Sequence, residues 1–201
     1  MNPKWAEENL QTIRTLMERS TLYRRTLAPV FIFAGVLGVL AAAIGLLCHL
    51  NSARQFGALW MGTAVVVVIG ALFIVRRQAF KEKESFWSPP TRRVTQALLP
   101  SLLAGMIWGI AVTFWGAFME LLPFIWALFY GCALHSAGFF TSRGVKWFGW
   151  AYIVSTPLVL IFLTVAQRPV SNHLIMGFFF GVLHLAYGAY LYLTEKRKNA
   201  A

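Results

Sequence analysis

The stretch FGALWMGTAVVVVIGALFIVRR, residues 56–77, decides the fold. Residues 56–75 run without Asp, Glu, Lys or Arg, and Arg76 and Arg77 then end the run. About 20 apolar residues in a helix cover the roughly 30 Å of bilayer hydrocarbon, where lipid offers the backbone no other hydrogen-bond partner. Working outward, the same pattern recurs at 27–50, 98–119, 121–141, 147–166 and 174–193. The narrowest division falls around Glu120 and Pro123. We read it as a tight hairpin with proline in the first turn of the following helix.

Composition agrees. The 201 residues are 58% hydrophobic and only 12% charged, with mean hydropathy +0.63; a soluble domain of this size would have an apolar surface. The expected fold is all-α: a polytopic integral membrane protein of six transmembrane helices in a bundle, with an N-terminal amphipathic cytoplasmic helix. Residues 1–26 form the leader, 27–193 the membrane domain and 194–201 a basic tail. The first apolar run is longer than a signal-peptide core and follows Glu7, Glu8 and Glu18, so it reads as retained.

The formal charge of +11 raises the question of nucleic acid, but the cations sit at the ends of apolar runs. Sixteen of the eighteen Lys and Arg fall before the first span, in the second and fourth connections and in the tail, leaving Arg54 and Arg168 on the other side. Such residues are retained in the cytoplasm during insertion, so both termini are expected inside, against anionic lipids of the inner leaflet and with no nucleic-acid role. Trp60, Trp115 and Trp126 near outer ends, and Tyr23, Trp147, Trp150, Tyr190 and Tyr192 near inner ends, fit aromatic belts. Trp108, deep in the third span, reads as packing.

Outside the membrane, Asn2, Pro3, Glu7 and Glu8 make a helix start, and Leu10, Ile13, Leu16 and Met17 then recur at helical spacing opposite Arg14, Glu18 and Arg19. This leader can lie on the inner leaflet, or pack on a protein partner or a second copy. The 76–97 connection carries Lys81-Glu82-Lys83-Glu84 and then Ser88-Pro89-Pro90-Thr91, where proline stops the second helix. No phosphate loop, nucleophile elbow or metalloprotease signature is present.

Within the spans there are no carboxylates, which argues against an ion-coupled pathway and against intramembrane aspartyl chemistry, and favours a non-enzyme. Ser101, Gly105, Gly109 and Thr113, then Gly35, Gly38, Ala42 and Gly45, then Gly177 and Gly181 form small-residue seams. They suit packing within the chain first and a homo-oligomer second. Pro157 after Ser155 and Thr156 predicts a kink with its freed carbonyl met by a hydroxyl.

The candidates for chemistry are His135 and His184, each on a glycine-lined face and each about 20 Å from an outer helix end at 1.5 Å per residue. Level with each other, they offer axial ligation to one haem, a polar centre for a substrate near Pro157, or a neutral imidazole bonded to a backbone carbonyl across a seam. No metal site is expected. His49 and His173 are expected to be solvated at outer ends, and a site joining them to Glu120, with Cys48 nearby, would draw on three separate connections. Cys48 and Cys132 lie at different depths, which argues against a disulfide.

The leader segment ENLQTIRTLME, residues 8–18, with Tyr23-Arg24 beyond it, and the segment from Gly138-Phe139-Phe140 to Arg143-Gly144, resemble a family of bacterial polytopic inner-membrane proteins of unknown function. The resemblance implies a bacterial inner-membrane location. The leading expectation is an accessory or sensory membrane component acting through the leader and the 76–97 connection. A small-molecule carrier and a haem-binding electron-transfer protein stand as alternatives.

Overall fold

The computed structural model describes residues 27–81, 86–116 and 118–200, with the side chains of Pro90 and of residues 195–200 outside the description. The leader and its amphipathic helix lie outside the described residues. Within them every regular element is helical. Six helices are long and apolar enough to span a membrane: α1 (Leu27–Leu47), α2 (Ala53–Lys81), α3 (Pro89–Trp115), α4 (Leu122–Ala137), α5 (Arg143–Val165) and α6 (Asn172–Thr194).

The expected boundaries hold to within a turn or so, except where helices continue past the apolar run. The second helix reaches Lys81, and Pro89 opens α3, where a missing N–H costs nothing. The narrow third division is resolved by Gly116 in the left-handed region (φ 68°), which lets the chain leave α3 without a Cβ clash. A 3₁₀ turn, Met119–Leu121, then leads into α4 with Pro123 in its first turn.

The small-residue seams are taken up inside the chain. A Cβ at Gly35 would stand 2.8 Å from Leu185, one at Gly177 2.7 Å from Ala42, and one at Gly181 2.8 Å from Val39, so α1 and α6 meet almost backbone to backbone. Gly131 holds α4 against Tyr152 of α5, and Gly105 and Gly109 of α3 receive Phe129 and Trp126 of α4. These glycine faces are thus occupied by neighbouring helices of the same chain. Two apolar clusters result: one around Phe31, Phe148, Tyr152 and Phe179, the other around Phe56, Trp60, Leu122 and Met176.

Two further expectations are corrected. Trp108 is 51% exposed; it lies on the outside of α3, where an indole suits lipid as well as protein. The hydroxyls of Ser155 and Thr156 are buried without a hydrogen bond, so neither meets the Ile153 carbonyl that Pro157 leaves free.

Candidate functional site

The last span is where regular helix gives way. After one turn, Asn172–Met176, it becomes π-helical over Gly177–Val182 and returns to α-helix at Leu183. The chemistry beside it accounts for the change. The Phe179 carbonyl accepts the Tyr152 hydroxyl and also His184 Nδ1–H at 3.2 Å. With that carbonyl engaged by side chains, the ladder steps out to five residues, as in Leu183 N–H donating to the Phe178 carbonyl.

His184 is only 2% exposed and has a partner on each nitrogen. A carbonyl can only accept, so Nδ1 carries the proton. It lies 3.0 Å from the Tyr152 oxygen, and Tyr130 donates to Nε2 at 2.8 Å. The order Tyr130, His184, Tyr152, Phe179 carbonyl is thus a chain of donors pointing one way, with every imidazole nitrogen satisfied inside an aromatic box of Phe31, Phe148 and Phe180. The carbonyl that His184 meets belongs to its own helix, and its partners across the seams are tyrosines.

His135 is elsewhere. Its ring neighbours are Phe139 and Trp150, none of them shared with His184, and its buried Nδ1 has no hydrogen bond. Pro157 is exposed on α5. The structure therefore does not assemble His135, His184 and Pro157 into one site. Iron placed on His184 would first have to displace Tyr130 or the Tyr152–Phe179 pair. Among the described residues no group of three His, Cys, Asp or Glu could hold a metal, and Cys48 and Cys132 are free thiols.

A second assembly was only partly legible. His173, expected in solvent, is 1% exposed. Trp60 Nε1–H donates to its Nδ1 at 3.2 Å, and its Nε2–H donates to the Leu50 carbonyl at 3.0 Å. Gly45 makes this possible, since a Cβ there would overlap the imidazole. Trp60 is thus a buried donor rather than a headgroup anchor, and Trp126 likewise turns inward, donating to the Gly105 carbonyl at 2.9 Å. Asn172 donates to the Met119 carbonyl at 3.2 Å, pinning the start of α6 to the α3–α4 connection.

Above this staple lies an open cleft of about 800 Å³ whose walls come from the α1–α2, α3–α4 and α5–α6 connections. All three connections thus meet at one end of the molecule. The apolar floor includes Phe56, Phe124, Leu160, Leu163 and Ile175, and the polar wall includes Asn51, Glu120, Gln167, Arg168, Ser171 and Asn172. Of the site weighed from sequence, Glu120 and His173 do share this cleft, while His49 and Cys48 do not line it. Among the described residues, the three non-glycine residues with positive φ are His49 (52°), Phe118 (60°) and Gln167 (49°), one in each of these connections. Such conformations cost free energy and concentrate at binding sites. No signal in a single sequence announces this convergence, because each connection contributes only a few ordinary polar residues.

These features define the class: an all-helical architecture among the described residues, with six helices long and apolar enough to cross a bilayer, an aromatic and polar lock in the interior, and a cleft of mixed polarity at one end. No family model, curated protein or solved structure matches the chain, so the resemblance of its leader segment finds no support there.

Proposed function

We propose that the protein is a sensory component of the bacterial inner membrane that takes a small molecule into the cleft and passes its occupancy to the leader and the 76–97 connection. The cleft carries this reading: its volume is in the range that encloses small ligands, and it combines an apolar floor with a few convergent polar groups. The distribution of cations supports a cleft on the outer face with both termini in the cytoplasm. The connection of cleft to interior runs along α6, whose first turn holds His173 and whose π-helical turn carries the Phe179 carbonyl. A shift at His173 would reach the Tyr130–His184–Tyr152 chain through one rigid element.

The test needs no knowledge of the ligand. Thr164 lines the cleft and its hydroxyl bonds only its own helix, at the Leu160 carbonyl. In nanodiscs, a Thr164→Cys variant lacking both native cysteines is plugged with a bulky maleimide, and hydrogen exchange is followed over residues 2–26 and 76–97. A second variant that keeps Cys48, exposed at the same end but outside the cleft, as its one cysteine is labelled as the control. Exchange should change with the plug and not with the control; no change with the plug rejects the reading.

A carrier is the second reading, favoured by the π-helical break in α6, since interrupted helices line many transport sites. It predicts that the plugged variant loses transport while exchange in the leader stays constant.

A further inference from the structure

The polar residues around the cleft divide into those already engaged and those that are free. His173 uses both ring nitrogens, Asn172 donates to Met119, Ser171 Oγ accepts the His173 N–H, and Thr164 bonds Leu160. Glu120, Arg168, Asn51 and Gln167 are left. Among the described residues, Glu120 and Arg168 make no ion pair with each other or with another side chain. A carboxylate and a guanidinium held in one cleft without pairing provide one site for a cation and one for an anion, the guanidinium donating two N–H groups to a carboxylate or phosphate. The two amides add neutral donors and acceptors, and the floor is apolar.

From this inventory we infer that the cleft binds a zwitterion of net charge zero: a protonated amine facing Glu120, an anionic oxygen group facing Arg168, and an apolar body against Phe124, Leu160 and Ile175. An anion or cation alone would leave one of the two charges facing a like or empty partner, and an uncharged hydrophobe would desolvate both without return. The inference rests on the cleft being a ligand site, as proposed above. Two sources carry this chemistry: water-borne apolar peptides, and phosphoethanolamine headgroups of the outer leaflet.

The experiment uses the full chain in phosphatidylcholine nanodiscs, with binding read by calorimetry. One arm adds the dipeptide Leu-Phe, its N-acetyl form and its amide; the other adds lysophosphatidylethanolamine, its N-acetyl form and lysophosphatidylglycerol. In one arm the zwitterion should bind at least tenfold more tightly than either singly charged analogue, and that arm identifies the source. Glu120→Gln should erase the preference for the free amine over the N-acetyl form, and Arg168→Gln should weaken the zwitterion at least tenfold. Both residues are exposed, and the analogue series on the unaltered chain stands whatever the variants do. Equal binding of charged and zwitterionic forms, or no binding in either arm, overturns the inference. The maleimide plug does not depend on ligand charge, so a changed leader exchange with no zwitterion preference leaves the sensory reading standing and removes only this one.

Discussion

Removing the Tyr130 hydroxyl should cost more than removing that of Tyr152, although Tyr152 is the more deeply buried and makes more contacts. In Tyr152→Phe the Phe179 carbonyl still accepts His184 Nδ1–H at 3.2 Å, so each remaining polar atom keeps a partner. The loss is one net hydrogen bond, about 0.5–1 kcal/mol. In Tyr130→Phe, His184 Nε2 loses the donor at 2.8 Å and no other is within reach. A buried acceptor is orphaned, which costs about 1–2 kcal/mol. His184→Phe orphans the Tyr130 hydroxyl instead, at similar cost. The double variant Tyr130→Phe with His184→Phe removes both partners and should be less destabilising than the sum, with a coupling near 1 kcal/mol. Unfolding in mixed micelles by SDS, followed by far-UV dichroism, measures all four forms. A larger loss for Tyr152→Phe than for Tyr130→Phe, or a coupling below about 0.3 kcal/mol, would refute the directed hydrogen-bond chain.

Other perturbations bear on separate parts of the molecule. Gly45→Ala places a methyl group in the His173 ring and should cost about 1–3 kcal/mol. Gly62→Ala has nothing within 4 Å and should stabilise slightly through helix propensity; equal effects of the two would deny the His173 staple. Cys48 should react with an impermeant maleimide on intact cells, whereas a single cysteine at Lys83 should react only after permeabilisation; the reverse pattern would invert the orientation. Protein purified from haem-replete cells should show no Soret band, because both His184 nitrogens are engaged. A band that vanishes in His184→Ala would establish the haem alternative.

The proposed function assigns the response to the leader, where Leu10, Ile13, Leu16 and Met17 recur at helical spacing opposite Arg14, Glu18 and Arg19. Its role is tested by deletion: removal of residues 2–18 should abolish partner capture or alter oligomeric state in the membrane, and unchanged behaviour would leave the leader without the role assigned to it.

The number of spans and their approximate limits follow from the sequence by itself, because the cost of exposing a charge or an unpaired peptide to lipid is local and is read one residue at a time. The hairpin at Pro123 was legible for the same reason: proline lacks a donor wherever it stands. What each polar side chain meets is different. His173 and His184 lie in similar apolar surroundings along the chain, yet one is held by Trp60 and Leu50 and the other by Tyr130 and Tyr152, residues between 32 and 123 positions away. Those pairings depend on which helices adjoin and on glycines, such as Gly45, that leave room for a ring. The cleft depends on three short connections arriving at one end. Hydropathy is a sum over neighbours in sequence and carries none of this; only the packed tertiary structure selects which distant groups come within hydrogen-bonding reach.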